Sequence, residues 1–294
     1  MEKLISCIIT NSTKVTGEQI QYVLAEFEKL NITVQRVQRL GIDGVRLNLW
    51  ARKKMIFPQI EESIKADINL LTNDPKPRKL LFSDMDSTII TVECIDEIAD
   101  FLGLRHQVQE LTAKSMRGEI DFSESLKERV KLLKGLTITD LDECFKSRIE
   151  ISKGAKTLVS TMRKFGAKSV LISGGFSFFS DKVSSLVGFD RSFANELIVE
   201  DNLITGYLKE PLLDRKLKRS ILLAVCREMD IDARDVIAVG DGANDVDMIL
   251  EAGLGVSYYG QPVLKAASDI RISYSNFRAL LYCQGIGENE FVLE

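Results

Sequence analysis

Histidine is nearly absent from this 294-residue chain, which has only His106. That excludes a histidine-rich metal site, and a Ser-His-Asp relay would have to be built on this one side chain. It sits in FLGLRHQVQEL, a stretch of helical pattern, and reads as a surface residue. Long apolar runs are also missing. None approaches the roughly 18–20 residues that cross a bilayer, so no membrane span is expected. There is no polybasic run, and a net charge of −4 gives duplex nucleic acid little to bind. The five cysteines (Cys7, Cys94, Cys144, Cys226, Cys283) are odd in number, scattered and never spaced as CxxC. They read as small buried hydrophobes in a reducing compartment, not as disulfides or zinc ligands. The opening MEKLISCIITNSTK lacks the basic and apolar regions of a secretory leader, and the expectation is a cytoplasmic protein. If this chain does chemistry, carboxylates carry it.

What is present falls into two patterns. Residues 1–72 alternate strand and helix: LISCIIT, then GEQIQYVLAEFEKLN, two strands about the turn GIDG, and a helix over FPQIEESIKADINLL. Glycine takes positive φ readily, so GIDG suits a hairpin. The order is β-α-β-β-α, a small α+β unit with Trp50 and Phe57 in its core. TNDPKPRK follows, and its two prolines mark a linker. Beyond it, KLLFSD, AKSVLISGG, DVIAVGDG and AGLGVSYY are apolar runs without alternation, each ending in small or acidic residues. Such runs suit parallel strands buried on both faces, so a doubly wound, mainly parallel α/β sheet is expected. About eighty residues of helical pattern separate the first two runs, more than one crossover needs, and imply an inserted helical cap. RSFANELIVEDNLITGYLKE reads as a β-hairpin turning at Asp201-Asn202.

Four polar features fall at or after strand ends: Asp84 with Asp86, Ser173-Gly174-Gly175, Lys218, and Asp241-Gly242-Ala243-Asn244-Asp245. Each has a plain structural alternative. A DxD after a strand can be an N-cap and turn, SGG a tight turn, GDGAND a fragment of a calcium loop, and DRKLKRS a solvated basic face. Their combination has a chemical logic. Carboxylates gathered at strand ends repel one another unless a hard divalent cation sits between them, and oxygen-only donors with little room favour Mg²⁺. One carboxylate can attack phosphorus, and a second can protonate the leaving alkoxide and then activate water. The transferring phosphoryl group needs a hydroxyl, backbone N–H groups and an ammonium around it.

DMDST, ISGG, the lysine and GDGAND resemble the signature motifs of the haloacid dehalogenase-like superfamily. DMDSTIITVECIDEIA, MRGEIDFSESLKERVKLLKG and SGGFSFF further resemble the phosphoserine phosphatase family, over residues 79–283. The resemblance implies a core of residues 79–91 and 153–294, with the cap at 92–152. It implies Asp84 as nucleophile and Asp86 as general acid and base. Mg²⁺ would be held by the Asp84 side chain, the Asp86 carbonyl and Asp241, with Asp245 in support. Ser173, Gly174 and Lys218 would hold the phosphate, with Asn244 nearby. Lys218 is preferred to Lys216 because it lies 23 residues before Asp241, the family spacing. In the cap, Glu93 would take the serine ammonium and Arg129 its carboxylate, with Met116 and Phe122 as apolar walls. A zwitterion needs one anion and one guanidinium fork. The other readings are a helix-start carboxylate for Glu93, a surface arginine paired with Glu124 or Glu128, and core packing for Met116 and Phe122.

The implied activity is hydrolysis of O-phospho-L-serine, the last step of serine biosynthesis. The rivals are a related enzyme acting on another small phosphoester such as phosphohomoserine, or passing the phosphoryl group to an acceptor, and an amino-acid-sensing regulatory protein. Residues 1–74 resemble an ACT-type unit, a module that often binds amino acids at paired interfaces, and are read either as a homodimer contact or stabilising appendage or as a serine-sensing module.

Overall fold

The computed structural model describes residues 3–51, 55–71, 75–116 and 119–293. The first strand, β1 (Lys3–Thr10), leads to α1 (Gly17–Lys29), started by Thr16 and Gln19 in a reciprocal capping box. β2 (Thr33–Arg39) and β3 (Gly44–Ala51) form the hairpin about GIDG, and α2 (Pro58–Ile64) follows. The helix expected over residues 57–71 stops early. Lys65 takes a left-handed conformation (φ 50°), and Asp67–Leu71 form a strand, β4, antiparallel to β1. The unit is therefore β-α-β-β-α-β, with sheet order β2-β3-β1-β4. Phe57 is buried, but Trp50 is 40% exposed and not core. Alternation along β3 buries Leu47 and Leu49 and sends Trp50 to the other face, opposite the exposed Leu4.

Of the linker, residues 72–74 lie outside the described residues. The rest is pinned: the Arg78 and Lys79 N–H groups donate to Gln284 Oε1 and the Asp235 carbonyl at 2.9 and 2.8 Å. β5 (Leu80–Ser83) then opens the main sheet. The expected cap follows as four helices, α3 (Cys94–Phe101), α4 (Arg105–Met116), α5 (Phe122–Lys131) and α6 (Ile138–Arg148). The chain continues through α7 (Ala155–Lys164), β6 (Lys168–Phe176), α8 (Ser177–Val187) and β7 (Arg191–Asn195). Only Leu197–Glu200 (β8) and Leu203–Leu208 (β9) make the hairpin, turning through Asp201 and Asn202 at positive φ. The first part of the expected hairpin, Arg191–Asn195, instead joins the main sheet parallel to β6. Asp190 anchors it there by accepting from the Ser169 N–H and hydroxyl.

The remaining elements are α9 (Arg215–Glu228), β10 (Val236–Gly240), α10 (Val246–Glu251), β11 (Leu254–Tyr258), α11 (Pro262–Ala267), β12 (Ile270–Ile272) and α12 (Arg278–Cys283). The sheet order is β12-β11-β10-β5-β6-β7, and every pairing is parallel. One face packs Leu80, Phe82, Val170 and Val236 against α9, α10 and α11. The other packs Leu81, Leu171 and Ile237 against α7, α8 and α12. The chain winds outward from β5 first to β7 and later to β12. The carboxyl ends of β5, β6 and β10 thus meet at the point of reversal, where open α/β sheets hold ligands.

The N-terminal unit is keyed to this core. Asn69 exchanges two hydrogen bonds with the Arg271 backbone, at 2.8 and 2.9 Å, on edge strand β12. Gly44 packs so closely on Tyr282 that an added Cβ would lie 2.5 Å from its ring. The buried Tyr282 hydroxyl donates to Asp43 in the GIDG turn. Among the described residues, no helix is long and apolar enough to cross a membrane.

Candidate active site

At the end of β5 the Asp84 N–H donates to the Val239 carbonyl on β10 (2.9 Å), which fixes the Asp84 backbone. The chain then turns through Met85–Ile89, with Ser87 at φ 52°. This tight path turns the two acids to different partners. Asp84 Oδ1 accepts from the Met85 N–H at 2.8 Å and lies 2.7 Å from Lys218 Nζ. Asp86 accepts from the Cys94 N–H (2.9 Å), at the start of the cap, and from the Ser173 hydroxyl (2.8 Å), at the end of β6. Ser173 Oγ in turn accepts from the Gly175 N–H at 2.8 Å. A Cβ on Gly175 would sit 2.6 Å from Asp86 Oδ2, so a residue without a side chain is needed there. Gly174 offers its carbonyl to Asn195 Nδ2 at 2.8 Å.

Asp214 caps α9 by accepting from the Leu217 N–H, which places Lys218 one turn into the helix and facing inward. Its ammonium is 1% exposed and lies 2.7 Å from both Asp84 and Asp245. Burial works against this charge, but Asp245 and Asp84 outweigh it and hold the lysine above its usual range. Lys216 is exposed, so it is Lys218 that reaches the acids. Asp245 has both oxygens engaged: Oδ1 with Lys218, Oδ2 with the Asp241 and Gly242 N–H groups at 3.2 and 3.1 Å. Asp241 Oδ1 accepts from the Thr88 hydroxyl at 3.3 Å. Burial and then Asp245 push Asp84 well above the ordinary carboxylate range; the same two causes push Asp241 up to about 6.

Oxygens of Asp84, Asp241 and Asp245 lie within 4.8 Å of one another. Three carboxylates against one ammonium leave two negative charges in excess, which one divalent cation would cancel. The donors are oxygens only, so the cluster fits a hard dication. The Asp86 carboxylate turns away from this cluster toward Ser173 and Cys94.

In the cap, Glu93 immediately precedes α3 but makes no capping bond; its carboxylate accepts from the Ser87 hydroxyl at 2.7 Å. Enclosure by the surrounding protein, then repulsion from Asp86, pushes it up to about 7. The group still opens to water in its cleft, which tempers that shift. Arg129, on α5, is half-buried and donates through Nε to the Ser125 carbonyl at 3.3 Å. Burial lowers its pKa, while Asp96 and Glu93 oppose the change; these acids, not Glu124 or Glu128, are its charged neighbours. The side chains of Met116 and Phe122 lie outside the described residues. A cavity of about 650 Å³ opens between Asp121 and Ser123 on the cap side and Arg215, Lys216 and Asn244 on the core side. That size suits a small ligand. Of the expected site residues whose side chains are described, only Asn244 lines this cavity, and a second cavity of about 480 Å³, between β4 and α11, is lined by none of them.

Sequence reasoning reads Ser87 and Thr88 only as turn and cap residues beside the site and misses Asn195. The first two are hydroxyls directly after the DxD, a signal available in the sequence. Asn195 bonds Gly174 and the Leu213 N–H, and only the fold reveals it.

Residues 78–253 match the haloacid dehalogenase-like hydrolase family. A phosphoserine phosphatase of Polaromonas is 40% identical over 221 residues, covering 73% of this chain and 94% of that protein. The unliganded crystal structure of a probable phosphoserine phosphatase from Vibrio cholerae superposes with a TM-score of 0.83 at 27% identity, covering 97% of this chain and 88% of the other. A structure described as a phospho-aspartyl intermediate analogue of phosphoserine phosphatase gives 0.65 at 37% identity, covering 70% and 99%.

Proposed function

The chain belongs to the haloacid dehalogenase-like hydrolases, and on that footing we propose that it hydrolyses O-phospho-L-serine to L-serine and phosphate at the Asp84 site. The observation that carries the mechanism is the division of partners between two acids two residues apart. Asp84 lies against a buried ammonium, and Asp86 against a hydroxyl and a backbone N–H.

In this reading the Asp84 carboxylate attacks phosphorus and the bond to the serine oxygen breaks. Asp86 gives its proton to the departing alkoxide, leaving an aspartyl phosphate. Asp86, now a carboxylate, takes a proton from water as that water attacks the phosphorus and frees Asp84. Lys218, the Ser173 hydroxyl and the Gly174–Gly175 backbone hold the phosphoryl oxygens, with Asn244 at the entrance. Asp84, the Asp86 carbonyl and Asp241, braced by Asp245, would hold Mg²⁺, which would supply charge neutralisation when bound. Glu93 and Arg129 read the ammonium and carboxylate of the substrate, and the cap keeps water out. Met116 and Phe122 are assigned to the pocket wall.

The reading extends to the division of the chain into residues 1–74, the core and the cap, to a cytoplasmic location, and to the ACT-like unit as a homodimer contact. The exposed Leu4 and Trp50, paired across β1 and β3, support that last assignment.

The test is phosphate release from phosphoserine, phosphohomoserine and a simple phosphomonoester, with EDTA or Mg²⁺ and with acceptor alcohols. Mg²⁺-dependent hydrolysis that prefers phosphoserine is expected. Preference for another ester, transfer to the alcohol, or turnover in EDTA would each refute the corresponding part.

A further inference from the structure

The two limbs of the cap pair where they leave the core. Ile90 and Ile151 form an antiparallel bridge, the Thr91 N–H donates to the Glu150 carbonyl at 3.1 Å, and the Ser152 N–H donates to the Ile89 carbonyl at 2.8 Å. Ser152 is the foot of the return limb and is 5% exposed. Its hydroxyl donates to the Thr88 carbonyl at 2.6 Å. Thr88 is fully buried and is held at both ends, its carbonyl by Ser152 and its hydroxyl on Asp241.

The foot itself is held from below. The Phe277 N–H donates to the Lys153 carbonyl at 3.1 Å. Lys153 Nζ and Asn276 Nδ2 both donate to the carbonyl of Ser12, in the N-terminal unit, at 3.3 and 3.2 Å. Ser152 thus joins the root of the cap to the acidic cluster through one intervening residue.

We propose that Ser152 is a positioning residue for the reaction, which fixes Thr88 and through it the orientation of the Asp241 carboxylate. The inference rests on the reading of Asp241 as a cation ligand. Neither Glu93 nor Arg129 bonds to Ser152 or Thr88, so the direct line from Ser152 runs to the acidic cluster and not to the substrate groups.

The experiment uses the full chain and Mg²⁺ alone as the probe. Calorimetric Mg²⁺ affinity should fall about tenfold in Ser152→Ala, the change that about 1.4 kcal/mol of lost hydrogen bonding produces. Ser152→Thr, which keeps the hydroxyl, should restore it. At saturating Mg²⁺ the KM for phosphoserine should match the parent. Thr88→Val should lose a similar factor, and combining it with Ser152→Ala should add little, because both cut one line of contacts.

Parent-like Mg²⁺ affinity in Ser152→Ala, or additive losses in the double variant, would overturn the inference. Should Ser152→Ala fail to fold by near-UV circular dichroism, parent-like affinity in Thr88→Val overturns it instead. Asp241→Asn separates the two levels. If it binds Mg²⁺ like the parent, the reading of the cluster falls; if it loses Mg²⁺ while the Ser152 variants do not, only the present inference falls.

Discussion

Lys218→Met isolates the electrostatics of the site. Methionine is similar in length and apolar, so packing changes little. What is lost is the ammonium lying 2.7 Å from both Asp84 and Asp245, with all three side chains 5% exposed or less. Removing one partner of a buried ion pair costs about 3–5 kcal/mol, because the other charge is left without compensation. Here two carboxylates are left, so the upper end of that range is expected, a large part of the roughly 5–15 kcal/mol that holds a domain together.

The sign of the pH dependence follows from linkage. Without the ammonium, the folded-state pKa of the Asp84 carboxyl, already raised by burial and by Asp245, rises further above its unfolded value. Such a group binds its proton more readily when folded, so the variant is least impaired in acid. It loses stability as pH climbs from the ordinary carboxylate range through the raised value. The assay is urea unfolding followed by far-UV circular dichroism in EDTA, at about pH 5 and about pH 8, with the exposed Lys216→Met expected within about 0.5 kcal/mol of the parent. A Lys218→Met protein as stable as the parent at the higher pH, or equally weakened at both, would refute the reasoning.

Asp84→Asn keeps the shape of the site and removes the proposed nucleophile, so phosphate release should fall by more than about a thousandfold. Activity within tenfold of the parent removes Asp84 from that role. Arg129→Ala would forfeit the proposed charge-assisted contact to the substrate carboxylate, worth about 1.5–3 kcal/mol, so kcat/KM for phosphoserine should fall about 10- to 150-fold. A phosphoester without a carboxylate should change by less than about threefold, and equal losses would place Arg129 elsewhere. Only ionised Glu93 can hold an ammonium, and its carboxyl is pushed up to about 7. Hence kcat/KM for phosphoserine should decline as pH drops through that value, while an ester lacking the amine shows no matching limb. Ser87→Ala removes a bond that favours the ionised carboxylate and should move the limb to higher pH; an unmoved limb counts against the Ser87–Glu93 contact as its cause.

The core strands and the cap were legible because their signals are local: apolar runs closed by glycine, serine or aspartate, then helical periodicity. β4 was not. DINLL continues the pattern of the helix before it, and it extends because Asp67 and Asn69 find backbone partners at Arg271, Ser273 and Tyr274, about two hundred residues away. β7 was missed for a similar reason: RSFAN is short and half polar, and its place depends on β6. The acids, Ser173 and Lys218 could be read from motifs. Their supports, Asn195, Ser152 and the hydroxyl contacts of Ser87 and Thr88, become neighbours only when separate strand ends converge.

The β8–β9 hairpin gives the cap a mechanical property. Although it leaves the chain more than forty residues after the helical insertion ends, it is stitched to that insertion through Gly135 to Ile204, Ile204 to Leu136 and the Thr137–Leu203 bridge. Its own root is closed by the Lys209 N–H on the Glu196 carbonyl, at 2.9 Å. The cap helices and the hairpin are therefore one hydrogen-bonded body that the chain joins to the core at two separate roots. A body tied at two points can rock about the line between them but cannot swing freely around either.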